Sequence, residues 1–262
     1  MIWLLQMPAP LVGLVVVIIT VSFAVLGLVV TRRVFPQRRL AATDGVAGHV
    51  FNLAGVLYAV LVAFVVVVVW EQLNQAEKGT EAEAIAISDL LRDSAGLPVA
   101  NRPALQQSLI GYTNDVVDDE FPRMRHGETI EQQSDHLTEV WQNYLQVQPV
   151  SEREITFFQE SITRLDELGS ARKTRISGSQ SEIPGELWVL LLGGGMVMLL
   201  FTYMFPSPDV VVHGVLIALA GSLLAFVLYL TFAMEHPFVG SIAVSPEAYQ
   251  HVLDTWSQLA AK

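Results

Sequence analysis

Two pairs of long apolar stretches frame a polar segment in the middle of the chain. The four stretches are Leu11–Val30, Phe51–Trp70, Leu187–Phe205 and Val210–Ala233. Each has about 20 residues, which at about 1.5 Å per residue matches a hydrocarbon core about 30 Å thick. No Asp, Glu, Lys or Arg occurs inside any of them. The pattern predicts two transmembrane hairpins, within residues 1–70 and 187–234.

The short loop between the first two stretches is basic. Its arginines are Arg32, Arg33, Arg38 and Arg39, and its one acid is Asp44. Short basic loops stay in the cytoplasm, so both termini and the polar segment are predicted on the other side of the membrane, in the periplasm or extracellular space. The aromatic residues Trp3, Trp70, Trp188 and Tyr229 then fall near the outer ends of the spans, as an interfacial belt requires.

The polar segment, residues 71–186, shows apolar residues at helical spacing. The second span is predicted to continue as a helix to about Ser94, with a buried stripe through Ala76, Ala84 and Ile87. Further helices are predicted from about 101 to 121, from about 128 to 146, and from the capping box Ser151–Glu154 onward. The predicted fold class is an all-α membrane protein with four transmembrane helices and an inserted extracytoplasmic four-helix bundle. Residues 235–262 are predicted to form a C-terminal extracytoplasmic segment.

Charge and cysteine content exclude several classes of function. Residues 71–186 carry 21 acids against 10 bases, and the whole chain has a formal net charge of −11. This balance argues against nucleic acid as a partner and against docking on anionic lipid headgroups, and it favours cations. The chain has no cysteine, phosphate loop, nucleophile motif or paired metal-ligand motif. No catalytic residue, metal or cofactor is therefore predicted, and an enzyme is disfavoured.

The second span carries a face of small residues that can line a pore or allow close helix packing. The candidate pore-lining residues are Asn52, Gly55, Ala59, Ala63 and Val66. Packing alone is the more common explanation of such a face, and the polar amide of Asn52 shifts the balance toward a pore. The valine run 65–69 above it would form a dry constriction if the helix faces a pore. A glycine triplet, 193–195, in the third span is either a hinge or a close contact.

Three acids lie at the outer ends of spans, namely Glu71, Glu186 and Glu235. In an oligomer they could form acidic rings at an outer mouth, although ordinary solvated charge explains them equally well. His49 and His213 lie near the cytoplasmic ends, beside Asp44 and Asp209, and could form a pH-sensing pair; interfacial histidines without a task are more common. Asp115, Asp118, Asp119 and Glu120 form an acidic cluster that matches no calcium loop, so a solvated face is the default interpretation.

Three stretches of sequence resemble one known family. They are NLAGVLYAVLVAFVVVVVWEQ from Asn52, the pair ARKTRIS and IPGELW from Ala171 and Ile183, and MEHPFVGSIAVSPEAY from Met234. They are similar to the bacterial bestrophin-like membrane protein family of unknown function, whose members share four spans, a helical insert and a closing HPF-x-G…P or RPF-x-G…P segment. The match is most specific at Pro237, Phe238, Gly240 and Pro246. These residues are also expected to clamp the polar helices against the membrane unit after the last span.

The resemblance implies a function because this family is likened to the bestrophins, which are pentameric ion channels. In those channels the second helix lines the pore and a hydrophobic neck gates it. The sequence and the resemblance together predict a homo-oligomeric ion channel in contact with membrane lipid, with a preference for cations from the acidic segment. The alternative is a non-conducting membrane sensor or scaffold that uses the polar helices to bind partner proteins.

Overall fold

The computed structural model describes residues 7, 9–34, 44–131 and 134–260, and these residues form helices and connecting turns without a strand. The α-helices are α1 Ala9–Val34, α2 Asp44–Asp93, α3 Arg102–Asp115, α4 Phe121–Arg125, α5 Asp135–Leu145, α6 Glu152–Ser179, α7 Gly185–Tyr203, α8 Val210–Met234 and α9 Glu247–Ala260. A π-helical turn, Val116–Glu120, joins α3 to α4, and a 3₁₀ turn, Ser94–Gly96, ends α2. Trp3, Arg38 and Arg39, which the topology prediction uses, lie outside the described residues.

Four of these helices, α1, α2, α7 and α8, are long and apolar enough to cross a membrane. They contain the four predicted spans, except that α7 ends at Tyr203, two residues earlier than predicted. The predicted continuation of the second span is also confirmed, since α2 is a single helix of 50 residues. At about 1.5 Å per residue this helix is about 75 Å long, far more than a bilayer needs.

The chain divides into two compact units. The membrane unit is drawn from the described parts of Met7–Glu71 and Glu182–Glu235. Its helices α1 and α8 pack side by side along their length, with Ala24, Leu28 and Ile217 buried between neighbours. Gly221 faces Ala24 at this contact, since a Cβ atom on Gly221 would lie 3.5 Å from the Cβ of Ala24, an ordinary van der Waals distance.

The polar unit comprises Gln72–Ser181 and residues 236–260 of the described chain. Its core is lined by the C-terminal half of α2 together with α3, α5 and α6. The α9 helix packs against the same core through Tyr249 and Val252. The core of the polar unit therefore includes one helix that the predicted four-helix bundle leaves out. The prediction that Phe121-Pro122 ends the second polar helix is wrong, because α4 continues after it with Pro122 in its first turn, where a missing N–H is tolerated.

Local capping signals set the remaining helix starts. Ser151 and Glu154 form the predicted capping box, in which the Glu154 N–H donates to Ser151 Oγ at 3.2 Å and the Ser151 N–H donates to Glu154 Oε2 at 3.0 Å. The third polar helix begins at Asp135 rather than near 128, because Ser134 is its N-cap and accepts a hydrogen bond from the Leu137 N–H. The helix that starts at this capping box, α6, runs to Ser179.

Candidate functional site

The predicted pore face of α2 is split between two surroundings. Asn52, Ala59 and Ala63 are exposed on the chain surface, and at about 100° per residue they fall within about 40° of one another around the helix. Gly55 lies at the edge of this strip and faces α7 instead, because a Cβ atom there would lie 3.3 Å from Met198 Cε. Val66 is half-buried. The exposed part of the candidate site is therefore a narrow strip of small and polar residues.

The other side of α2 holds the helix against α7. Phe51 packs edge-on against Phe205 with ring centres 5.3 Å apart, and the Tyr58 hydroxyl donates to the Leu191 carbonyl at 2.9 Å. Val65 and Val69 are also buried within the chain, at 4% and 0% exposure. Of the valine run that was predicted as a constriction, Val67 and Val68 remain exposed.

The glycine triplet of α7 is a close contact for Tyr58. A Cβ atom on Gly194 would lie 2.6 Å from the Tyr58 ring, and one on Gly195 would lie 2.9 Å from the Tyr58 hydroxyl. Nothing lies within 4 Å of a Cβ atom on Gly193. Two of the three glycines therefore form a seat for the Tyr58 side chain. This close contact, rather than a hinge, explains the glycine triplet.

The three candidate mouth acids have different surroundings. Glu71 and Glu186 are exposed, as a role at an outer mouth requires. Glu235 is only 5% exposed, and its carboxylate accepts hydrogen bonds from the Ile183 N–H at 2.9 Å and from the Trp188 indole at 3.2 and 3.1 Å. This carboxylate ties the end of α8 to the start of α7, so the structure does not support Glu235 as part of an acidic ring.

His213 is buried in a polar joint that the sequence did not predict. The guanidinium of Arg32 donates through Nη2 to His213 Nδ1 at 3.0 Å and to the Ser207 carbonyl at 3.0 Å. On the other side of the ring, His213 Nε2 lies 3.0 Å from the Thr202 carbonyl. A guanidinium can only donate, so Nδ1 is the acceptor and Nε2 carries the ring proton. The neighbouring Asp209 caps α8 instead of pairing with this ring, and His49 is exposed.

The polar unit contains a buried network of two glutamates and two arginines. Arg175 donates to Glu83 through Nε at 2.7 Å and through Nη2 at 3.0 Å, and its Nη2 also lies 2.6 Å from Glu120. Arg172 pairs with Glu120 at 2.6 Å. The Tyr112 hydroxyl donates to Glu83 at 2.5 Å. The four charged side chains are at most 4% exposed, and their charges sum to zero.

The surroundings of this network shift two pKa values strongly. Burial raises the pKa of Tyr112 well above its ordinary value, and the negative charge of Glu83 adds to this effect. Burial alone would lower the pKa of Arg175, but the negative charges around it, Glu83 first, outweigh burial and raise the pKa. Tyr112 therefore stays a neutral donor and Arg175 a fixed cation. Burial also raises the pKa of Tyr249 well above its ordinary value, and the negative charge of Glu83 adds to this effect.

The π-helical turn explains why ideal helical spacing does not predict this network. At about 100° per residue, Glu120 would lie about 80° around the helix from Tyr112. Hydrogen bonds from residue i to i+5 make a wider turn that rotates less per residue, so Glu120 swings back toward the face of Tyr112. The signal that could have revealed the site is Glu83 itself, an acid flanked by Thr80, Ala84 and Ile87 in the buried stripe of α2.

The acidic cluster is dispersed over separate partners. Asp119 pairs with Arg123 at 3.0 Å, Asp115 lies 3.8 Å from His136, and Glu120 belongs to the buried network. Among the residues that the structure describes, no group of three or more His, Asp or Glu side chains is placed to hold a metal ion. A calcium site therefore gains no support here.

The segment after the last span folds as a tight turn in the polar unit. Gly240 has φ 93°, a conformation that favours glycine, and the Val244 N–H donates to the Pro237 carbonyl at 2.7 Å. The buried Phe238 ring packs edge-on against Phe121 at 5.7 Å. The Pro246 carbonyl accepts from the Tyr249 N–H at the start of α9. These contacts lie within the polar unit, and the predicted clamp on the membrane unit stays a prediction.

Four long apolar helices define the class, a multi-span helical membrane protein. A family model described as a Bestrophin-like domain matches residues 18–249, nearly the whole chain. The chain therefore belongs to the bestrophin-like family, and the resemblance seen in the sequence is confirmed. This family is related to ion channels in general. No curated protein matches the chain significantly.

Proposed function

We propose that the protein is a homo-oligomeric ion channel of the bacterial inner membrane, with α2 lining the pore. Both termini and the polar unit would lie on the extracytoplasmic side. The observation that carries the proposal is the exposed strip of Asn52, Ala59 and Ala63, which borders the side of α2 that seats against α7. A pore needs a helix that is anchored on one side and that keeps small side chains on another.

The rest of the α2 span supports this assignment. Only 11% of its most apolar window is buried within the chain. On the flank beyond the small strip, Leu53 and Phe64 are 65% and 70% exposed. Large apolar side chains suit lipid or a neighbouring copy, whereas the small strip leaves room for a lumen. An oligomer would place the two kinds of side chain in different surroundings.

Charge favours cations as the permeant ions. Exposed Glu71 directly follows the last residue of the span, and exposed Glu186 lies in the first turn of α7. The segment that contains them has a net charge of −11, and such a field raises the local cation concentration. A pentameric assembly follows only from the likeness to bestrophins.

A non-conducting sensor or scaffold is the second candidate. The observation that favours it is exposed apolar surface outside the spans, with Val99 and Leu145 each 73% exposed and Val150 87% exposed. Exposed apolar side chains mark a surface that binds a partner protein where they form one contiguous patch.

Ion flux from liposomes that hold the full-length protein separates the two functions. With potassium, sodium and chloride gradients, we expect cation flux that Ala59→Leu lowers several-fold while the oligomer stays intact. Val60→Leu is the matched control, because Val60 is 51% exposed and, at about 100° per residue, lies about 100° around the helix from Ala59, on the bulky flank. Glu71→Gln should lower cation flux and leave assembly unchanged. No flux above empty liposomes from a folded oligomer, or loss of assembly in Ala59→Leu, would favour the scaffold instead.

A further inference from the structure

A polar groove of about 320 Å³ runs between α2 and α6 in the polar unit. It is lined by Gln72, Gln75, Ala76, Lys173, Thr174, Ser177, Gly178 and Ser181. A volume of this size is enough for a small polar group, at the lower end of the range for ligand pockets.

Small residues bring the two helices together beside this groove. A Cβ atom on Gly178 would lie 3.4 Å from the Cβ of Ala76, and one on Gly79 would lie 3.2 Å from Thr174 Cγ2. Ala76 is fully buried.

The charge of the groove is opposite to that of its surroundings. None of its eight lining residues is acidic, although residues 71–186 carry 21 acids. Lys173 is exposed and makes no ion pair within the described part of the chain. Ser177 and Ser181 add two hydroxyl groups, and Gln75 adds an amide. This set offers several hydrogen-bond donors and one positive charge, which suit a phosphate group.

The groove also offers an acceptor without a donor. Gln72 Oε1 is buried and has no hydrogen-bond partner among the described residues. A buried polar atom of this kind is normally satisfied by protein, water or a ligand. A ligand that fits would bring a phosphate to Lys173 and a hydroxyl or ammonium group to Gln72.

The position of Gln72 along α2 identifies a source for such a ligand. Gln72 follows Trp70 by two residues in the same helix, and Trp70 ends the apolar stretch where an interfacial tryptophan is expected. One helical turn beyond the hydrocarbon core is the depth of lipid headgroups.

We propose that this groove binds the phosphodiester of a lipid headgroup that also carries a hydrogen-bond donor. Lys173, Ser177 and Ser181 bind the phosphate oxygens, and Gln72 Oε1 accepts from the headgroup hydroxyl or ammonium. The site is a local exception to the acidic character that disfavours anionic lipids elsewhere on the polar unit. It requires the chain to lie in a membrane but not to conduct ions.

Native mass spectrometry of the full-length protein tests the proposal with three phospholipids of identical acyl chains. Phosphatidylglycerol and phosphatidylethanolamine carry a donor, whereas phosphatidylcholine carries the phosphate alone. We expect the first two to be retained several-fold more than phosphatidylcholine. Lys173→Gln should lower their retention several-fold, and Gln72→Leu should remove the preference over phosphatidylcholine. Lys78→Gln, at an exposed lysine of α2 outside the groove, is the matched control.

Three results would overturn the proposal. Equal retention of all three lipids would remove the role of Gln72, and equal behaviour of Lys173→Gln and Lys78→Gln would remove the phosphate site. Soluble glycerol 3-phosphate is included as a competitor to identify the source of the phosphate. Binding of that compound as tight as the lipid, lost in Lys173→Gln, would overturn the assignment to a lipid. Unchanged circular dichroism of each variant shows that folding is intact.

Discussion

The polar unit and the membrane unit place charge and apolar surface in opposite ways. The polar unit buries two glutamates and two arginines at its centre and covers them with an apolar core. The membrane unit has no acid or lysine inside its apolar stretches and exposes large apolar side chains such as Phe64 and Leu223. The difference shows that the burial of apolar side chains within one chain indicates its stability only where water is the solvent. In a membrane, lipid covers apolar side chains as well as protein does.

The α2 helix contains both arrangements along one continuous backbone. In its first part, Leu53 and Phe64 are mostly exposed, and in its second part Ile87 and Leu90 are fully buried. The hydrogen-bonded helix is the same in both parts, so the side chains alone adapt it to two solvents. Substitutions with matched controls can test whether stability follows this division.

The largest expected effect is in the buried network of the polar unit. Replacing Arg175 by Met leaves Glu83 without its bidentate partner in a fully buried position. Breaking a buried ion pair in this way typically costs about 3–5 kcal/mol. Chemical denaturation of the protein in nanodiscs, followed by circular dichroism, measures the loss.

Two comparison variants make this result specific. Arg164→Met removes an arginine of the same helix whose pairs with Glu160 and Glu167 are surface-exposed, and it should cost at most about 1 kcal/mol. Removing both partners, Glu83→Leu with Arg175→Met, leaves the Arg172–Glu120 pair balanced and should recover much of the stability. Equal losses for Arg175→Met and Arg164→Met would contradict a central role of the network.

An intermediate effect is expected in the membrane unit, at the seat of Tyr58. Gly194→Ala places a methyl group where the Tyr58 ring lies, since the Cβ position is only 2.6 Å from that ring. Overpacking of this kind costs about 1–3 kcal/mol. Thermal unfolding in detergent should show the loss for Gly194→Ala. The same change at Gly193, where the space is open, should leave the midpoint unchanged or raise it slightly; equal shifts would show that Tyr58 is not seated on Gly194.

The smallest expected effect is at the start of α6. Ser151→Ala removes the N-cap and should cost about 1 kcal/mol. Backbone hydrogen bonds from Ser151 and Val150 lower the pKa of Glu154 below its ordinary value. The stability from its carboxylate is therefore fully present above its unfolded pKa and is lost as the pH falls through its folded pKa.

Denaturation at pH 7 and at pH 3 checks this pH dependence. The difference in stability between the wild type and Glu154→Gln should shrink at the lower pH, because the carboxylate is then partly protonated in both the folded and unfolded chains. Thr163→Ala, in the middle of the same helix, is a control for loss of a hydroxyl group. A difference that stays constant with pH would show that the charge of Glu154 does not contribute.

The sequence predicted those parts of the fold that depend on neighbouring residues. Span length, the absence of charge in the spans and the capping box at Ser151 are local signals, and the structure has all of them. The structure also shows the buried stripe through Ala76, Ala84 and Ile87. The starts and ends of the shorter polar helices were predicted less accurately, since a proline such as Pro122 is tolerated in a first helical turn.

Contacts between distant residues could not be predicted from periodicity. Glu83 and Arg175 are 92 positions apart, and Trp188 and Glu235 are 47 apart. For the α2 face, helical spacing shows which residues share a side but not which side a neighbouring helix covers. Gly55 and Ala59 share a predicted face for this reason, although only Ala59 is exposed.

The π-helical turn Val116–Glu120 holds one residue more than a regular helix would at this place. Removing one residue from the turn would place Glu120 seven positions after Tyr112, and seven residues of regular α-helix rotate by about 700°, which leaves Glu120 within about 20° of the Tyr112 face. The pairs of Glu120 with Arg172 and Arg175 would then be kept. A deletion in a regular helix rotates every later side chain by about 100°, but this helix can accept one here, because the turn already compensates for an extra residue.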